Sequence, residues 1–142
     1  MNSVVLEEQR AEFKAINPST GEIVKTYEGH TQREVEAILQ TVSAAFGQWR
    51  RTDFETRADL MRKAAKVLRG RASEFSELMA AEMGKPLKDG RAEIEKCATG
   101  CDYFAGNASR FLHPQSAQIE GAKAFVTFNP LGVVLALMPW NF

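Results

Sequence analysis

The chain has no excess of charge of either sign, since 18 Lys and Arg side chains balance 18 Asp and Glu side chains. A nucleic-acid-binding protein would carry a basic excess or a basic stripe, so we expect no nucleic-acid partner. Long apolar runs are also lacking, because the longest, Val133 to Met138, is far too short to cross a membrane. No apolar segment follows a basic start, so no secretory signal is predicted.

Cysteine is scarce, with only Cys97 and Cys101 in 142 residues. In a chain without a predicted signal they are expected to be free thiols in a reducing compartment, which makes the cytoplasm the predicted location. Their spacing puts both on the predicted apolar face of a helix, where cysteine packs as a small hydrophobe rather than as an exposed nucleophile. His30 and His113 have no ligand spacing to them, so no metal site is predicted.

The rest of the composition, 44% hydrophobic and 25% charged, is typical of a soluble globular domain. Turn-forming residues at 17–21 predict a hairpin, and apolar residues then recur at helical spacing in four segments. The predicted helices are 32–50 behind a capping box of Thr31 and Glu34, a second beginning behind Thr52, a third from Ser73 to a stop at Gly84, and a fourth from about Lys88 to Leu112. Lys85, just past the third helix, is expected to complement the dipole at that helix end.

Two segments after Pro114 predict strands. Alternation over residues 124–128 predicts one arm of a ribbon paired with the segment near Gln118 and Ile119. The run Val133–Met138 is continuously apolar, which suits a strand covered on both faces, as in a parallel sheet. Because ligands lie beyond the carboxyl ends of such strands, we expect a site directly after this run.

The residues that end the run have chemistry suited to such a site. Pro139 ends the hydrogen bonding of the strand, and Trp140 offers a flat apolar wall. Asn141 offers a neutral amide donor that can hold a developing oxyanion without titrating. The pattern alone also allows a second interpretation, in which the strand simply stops at a proline and Asn141 serves the turn.

Four segments together resemble the aldehyde dehydrogenase superfamily, from about Ala15 to Phe142. The run from Pro130-Leu131-Gly132-Val133 to Pro139-Trp140-Asn141-Phe142 is similar to the one that leads into the family's nucleotide-binding domain. The other three segments are Asn17-Pro18-Ser19-Thr20-Gly21-Glu22, Trp49 with Arg57, and Glu82-Met83-Gly84-Lys85-Pro86. Within the superfamily, the chain most resembles bacterial succinate-semialdehyde dehydrogenases, and the likeness lies in residues 82–86, in Ala92-Glu93 with Lys96-Cys97-Ala98, and in residues 135–142.

This resemblance implies a function and a set of site residues. Asn141 would donate its side-chain amide to the oxyanion of a thiohemiacetal, and Met138, Pro139, Trp140 and Asn141 would line the NAD(P) cofactor. The cysteine nucleophile, the glutamate base and the glycine-rich cofactor turn of the family would all lie downstream of Phe142. We therefore expect an inactive N-terminal fragment of an enzyme that oxidises an aldehyde, foremost succinate semialdehyde, to its carboxylic acid.

The predicted fold class is α/β, a truncated aldehyde dehydrogenase fold. Residues 1–113 would supply an N-terminal ribbon and a helical layer, 114–130 an oligomerisation arm, and 131–142 the first strand of a Rossmann-like sheet. The resemblance implies a homodimer or homotetramer for the full-length protein. Two alternatives stay open, an aldehyde dehydrogenase of different substrate specificity and a non-catalytic helical interaction module.

Overall fold

The computed structural model describes residues 10–138 of the chain. Along the chain, an antiparallel ribbon comes first, four helices follow, and a second antiparallel ribbon comes last. Each ribbon is a separate two-stranded sheet. The elements in chain order are β1 (Glu12–Ile16), β2 (Ile23–Glu28), α1 (Gln32–Trp49), α2 (Phe54–Gly70), α3 (Ala72–Met83), α4 (Leu87–Phe111), β3 (Gln115–Ile119) and β4 (Ala122–Val126).

The predicted N-terminal hairpin is confirmed by the antiparallel pairing of β1 with β2. Its turn is held by Asn17, whose side-chain oxygen accepts a hydrogen bond from the Ser19 amide at 2.9 Å. Gly21 has a φ of 76° and donates its amide to the Asn17 carbonyl at 2.8 Å. Glycine adopts this left-handed conformation without steric cost, which explains its place in the turn.

Helix α1 begins at the predicted capping box. The Glu34 amide donates to Oγ1 of Thr31 at 3.3 Å, and the Thr31 amide donates to Oε2 of Glu34 at 2.9 Å. These two bonds satisfy amides that a helix start otherwise leaves unpaired. None of the 18 residues of α1 is buried, so its apolar stripe packs against little of the described chain.

The predicted starts of the next two helices each differ from the observed starts by one residue. Asp53, and not Thr52, caps α2 by accepting the Thr56 amide on Oδ1 at 2.7 Å. Helix α3 begins at Ala72, so Ser73 lies inside it and donates its hydroxyl to Glu77 at 2.9 Å. Thr52 is free for another role, since a carboxylate at the next position provides the cap.

Helix α4 is the central helix, and both α2 and α3 pack along it. The buried apolar residues are small or β-branched, namely Ala58 and Ala65 on α2 and Ile94 and Ala98 on α4. Gly90 lets α3 approach closely, because a Cβ at that position would lie 3.0 Å from Cβ of Ser76. The described part of the chain therefore has a narrow core set by close helix contacts.

The buried face of α4 differs from the predicted one. Gly90, Ile94 and Ala98 are buried at successive turns, whereas Cys97 is exposed and Cys101 is half-buried. The prediction that both cysteines pack inward is therefore wrong for Cys97. The face of α4 that contacts α2 and α3 has small side chains, because these allow the helices to approach closely. The buried face is therefore offset around the helix from the predicted apolar stripe.

The predicted ribbon after Pro114 is confirmed, although β4 begins two residues earlier than the alternation indicates. Strands β3 and β4 pair in antiparallel register, with Ala117 opposite Ala124. Gly121, with a φ of 73°, lies in the connecting turn. Every residue of both strands is exposed or half-buried, so the ribbon projects with both faces open.

The prediction of a covered strand at Val133–Met138 is not met within the described residues. Positions 131–138 form neither helix nor strand, and Leu135 and Leu137 are each 85% exposed. A strand requires hydrogen-bonding neighbours on its edges, and no described residue pairs with this run. The run has the composition of an interior strand without the sheet that would make it one.

Candidate functional site

The four predicted site residues fall at the edge of the described chain. Met138 is the last described residue, and its side chain is 82% exposed. Pro139, Trp140 and Asn141 lie outside the described residues. The geometry of the predicted oxyanion and cofactor site is thus untested, and the run that leads to it is open on both faces.

Two of the segments that carry the family resemblance meet in space. Gly84 ends α3 with a φ of 70°, and a Cβ added there would lie 2.9 Å from Cγ of Pro18 in the β1–β2 turn. The Tyr27 hydroxyl donates to Oε1 of Glu82 at 3.3 Å, and partial desolvation together with the Glu82 charge raises the pKa of Tyr27. Glycine at position 84 therefore meets two requirements. It adopts the left-handed backbone conformation, and it leaves room for the β1–β2 turn.

Lys85 makes a contact that the sequence analysis does not predict. Its ammonium group pairs with Oε2 of Glu93 on α4, and the two side chains are only 21% and 22% exposed. The lysine thereby joins the α3–α4 connection to the second turn of α4, and its predicted interaction with the dipole of α3 stays a prediction. Nothing in the sequence pattern links the two, because they are eight residues apart across a helix break.

The Trp49 and Arg57 pair, also part of the resemblance, locks the bend between α1 and α2. The Arg57 guanidinium donates to the Trp49 carbonyl at 3.1 Å, to the Thr52 carbonyl at 3.0 Å and to Oγ1 of Thr52 at 2.8 Å. It also lies 5.5 Å from the Trp49 ring centre and 5.8 Å from that of Phe54. A planar cation with several donors suits this combination of carbonyl bonds and ring contacts.

An open cavity of about 400 Å³ lies between α2 and α4 beside this bend. Its walls are mainly apolar and include Trp49, Phe54, Met61, Phe104 and Leu112. Arg57 also lines it, but the guanidinium of this residue already donates to the carbonyls of the bend. The cavity therefore has the character of an uncovered packing surface rather than of a catalytic centre.

A charged cluster that the sequence pattern does not reveal joins α2 to α4. Arg69 donates to the Glu95 carboxylate at 2.9 Å and to Oδ2 of Asp102 at 2.7 Å. These bonds raise the pKa of Arg69 and lower that of Glu95. Glu95 and Asp102 are two helical turns apart on one face of α4, a spacing that becomes informative only once the partner helix is known.

Residues 10–138 contain neither a cluster of metal-ligating side chains nor a membrane-spanning helix. No group of three or more His, Cys, Asp or Glu side chains in this range could hold a metal ion. No helix in the same range is long and apolar enough to cross a membrane.

Comparisons with known proteins identify the family. The profile of the aldehyde dehydrogenase family matches residues 5–142, which is nearly the whole chain. The chain is 44% identical over 131 residues to an aldehyde dehydrogenase of Paenarthrobacter nicotinovorans, covering 89% of this chain and 29% of that protein. It is 38% identical over 128 residues to a succinate semialdehyde dehydrogenase [NAD(P)+] of Escherichia coli, covering 90% of this chain and 28% of that protein. The chain belongs to the aldehyde dehydrogenase family.

The solved structures agree on the fold. The succinic semialdehyde dehydrogenase of Streptococcus pyogenes, determined in complex with NADP+, superposes with a TM-score of 0.77 at 26% identity. The match covers 81% of this chain and 26% of that one. The chain therefore spans somewhat more than a quarter of the length of the relatives it matches, and it has the α/β fold of their N-terminal part.

Proposed function

We propose that the protein containing this chain oxidises an aldehyde to its carboxylic acid with NAD(P)+, and that succinate semialdehyde is the substrate. The observation that carries the proposal is the family match over residues 5–142, which includes the Pro139-Trp140-Asn141 segment. Relatives named as succinate-semialdehyde dehydrogenases, at 38–42% identity, support the substrate. The family membership also argues against the alternative of an unrelated helical interaction module.

The proposed chemical role of this chain centres on Asn141. A cysteine thiolate from the later part of the protein attacks the aldehyde carbon, and the carbonyl oxygen takes up the negative charge. The Asn141 side-chain amide donates a hydrogen bond to that oxygen and stabilises the charge without exchanging a proton. The same amide acts again when water attacks the thioester and the acid is released.

Met138, Pro139 and Trp140 are proposed to line the cofactor beside the reacting carbon. An apolar thioether, a proline and an indole exclude water and offer flat surfaces, which fits a nicotinamide ring and its ribose. The bound nicotinamide supplies the acceptor for the hydride that leaves the aldehyde carbon. The side chain of Met138 is exposed, so its surface is available for such a contact.

The β3–β4 ribbon is proposed to be an oligomerisation arm of a homodimer or homotetramer. Its apolar side chains Ile119, Phe125 and Val126 are more than half exposed, which is costly unless another surface covers them. The outer edges of its strands also have unpaired backbone groups that can extend a partner's sheet.

Substitution of Asn141 in the full-length protein tests the proposed reaction. Asn141→Ala is expected to lower kcat with succinate semialdehyde and NADP+ by about 10²–10³-fold, with little change in KM, because the lost bond forms only as charge develops. Gln40→Ala, an exposed substitution on α1, is the control and should leave both constants unchanged. A kcat of Asn141→Ala equal to that of the wild type would exclude Asn141 as the oxyanion donor. The 142-residue chain alone is expected to show no turnover, and measurable turnover would contradict the proposed division of the site.

A further inference from the structure

Cys97 and Cys101 are two free thiols that the proposed function does not use. They lie four residues apart in the middle of α4, so they are neighbours on the surface of that helix. Cys97 is exposed, and Cys101 is half-buried beside the face that contains Ile94 and Ala98. Solvent therefore reaches the first thiol directly, and the second thiol lies next to it at the edge of the packed face.

The spacing of the two cysteines disfavours a disulfide. Residues four apart in a helix have Cβ atoms about 5–6 Å apart, whereas the Cβ atoms of a disulfide are about 3.5–4.5 Å apart. A direct sulfur–sulfur bond would thus have to distort α4. A bridge with one atom between the sulfurs is longer, and the side chain of the later residue in a helix lies over the preceding turn, so Cys101 can reach such an atom together with Cys97. The pair is therefore better matched to a single bridging atom than to oxidation.

The number of ligands limits which bridging atom fits. Zinc in a structural site takes four protein ligands. No group of three or more His, Cys, Asp or Glu side chains in residues 10–138 could hold a metal ion. Trivalent arsenic that bears one organic group has two further bonds to form, and it forms them readily with sulfur. Cys97 and Cys101 thus provide the complete set of protein ligands for such an atom, but only half of the set for zinc.

There is space for the organic group beside the pair. Gly100 is three residues after Cys97 and so is its neighbour on the helix surface. No atom of another described element lies within 4 Å of the position that a Cβ of Gly100 would take. An aryl or alkyl group on the bridging atom can therefore lie over Gly100 without contacting another element of the described chain.

We propose that Cys97 and Cys101 form a dithiol site for monosubstituted trivalent arsenicals, the class of compound to which phenylarsine oxide belongs. Both S–H bonds and the arsenic–oxygen bond break, two arsenic–sulfur bonds form, and the oxygen leaves with the two protons as water. Arsenic stays trivalent and neither sulfur is oxidised, so no other reactant is needed. The site is separate from the proposed aldehyde chemistry and does not rest on it.

The helix gives the dithiol site its affinity. Once arsenic has bound one thiol, α4 holds the second thiol beside it, and the second bond forms at a high effective concentration. Linking two binding events in this way raises affinity by about 10²–10⁴-fold over a single one. A compound with one thiol, such as glutathione, should therefore compete poorly against the pair and well against either cysteine alone.

Peptide mapping of the full-length protein tests the site. Phenylarsine oxide is added to the folded protein in the presence of reduced glutathione, and the remaining thiols are alkylated as the protein is unfolded. Trypsin cleaves after Lys96 and Arg110, which leaves both cysteines in the peptide 97–110 and separates them from cysteines elsewhere in the protein. Mass spectrometry should find one phenylarsenic group and no alkyl group on this peptide. Cys97→Ser and Cys101→Ser should each raise the arsenical concentration for half-occupancy by about 100-fold or more.

A spacing variant distinguishes a helical site from an unfolded one. Thr99→Cys combined with Cys101→Ser places the two thiols two residues apart, on different faces of α4, although they would meet easily in an unfolded segment. This variant should lose affinity as the single variants do, and circular dichroism checks that each variant keeps its helix content. Half-occupancy at the wild-type concentration in the spacing variant or in either single variant would overturn the proposal. Absence of arsenic from peptide 97–110 of the folded wild type would overturn it as well.

Discussion

Two regions of this chain have similar apolar patterns and opposite environments. In α2, α3 and α4, small side chains let the helices approach closely, and Ala65 and Ala98 are fully buried. Helix α1 has an equally regular apolar stripe and no buried residue, and the run Val133–Met138 is more apolar still and more exposed. The contrast shows that an apolar pattern identifies side chains that favour burial. Whether they are buried depends on whether the described residues also include a surface that packs against them.

The largest expected effect lies in the packed region. Ala98→Leu inserts three carbon atoms into a fully buried position on α4 and should destabilise the 142-residue chain by about 1–3 kcal/mol through overpacking. Urea denaturation followed by circular dichroism measures this change in the free energy of unfolding. Ala92→Leu, the same substitution at an exposed position of α4, is the matched control and should change stability by less than about 0.5 kcal/mol. Equal effects of the two would remove the distinction between packed and open regions.

Local features of the fold could be predicted from the sequence because the interacting groups are close together along the chain. The turn at Asn17–Gly21, the capping box of Thr31 and Glu34 and the helix stop at Gly84 are all confirmed. The contact face of α4 could not, because close approach of α2 and α3 selected Gly90 and Ala98 over larger apolar residues. Periodicity identifies an apolar stripe but not which part of it a neighbouring helix will contact.

The candidate site likewise has residues that the sequence predicts and contacts that it does not. The strand ending in proline and the family resemblance together predict the site at Met138–Asn141, and its roles stay a prediction because Pro139, Trp140 and Asn141 lie outside the described chain. The Gly84–Pro18 contact and the Lys85–Glu93 pair could not be predicted, since each joins elements whose relative placement is tertiary. The segments that carry the family resemblance thus include residues that hold the helices and the turn together, as well as residues with a proposed role in the reaction.

An intermediate effect on stability is expected at the start of α1, which is stabilised by local hydrogen bonds and not by buried side chains. A hydrogen bond from the Thr31 backbone, then one from Arg10, lower the pKa of Glu34 from 4.5 to about 2. Because the unfolded chain binds the proton more tightly, the stabilisation from Glu34 is complete above about pH 4.5 and is lost as pH falls towards 2. Glu34→Gln keeps the capping geometry without the charge, so the difference between wild type and variant should shrink over this range. Amide exchange at the start of α1 measures it, and a difference independent of pH would exclude the ionised carboxylate as the cause.

The smallest effect is expected in the open run. Leu135→Ser removes a large apolar side chain that is 85% exposed, so the 142-residue chain should lose less than about 0.5 kcal/mol in urea denaturation. In a buried position, truncation of a leucine costs about 2–5 kcal/mol, because contacts are lost and a cavity remains. A loss above about 1 kcal/mol would mean that the run packs against the helices in solution, and the contrast between the two regions would then fail. A loss near zero leaves the run free to serve as the interior strand that its composition indicates, once the sheet that covers it is present.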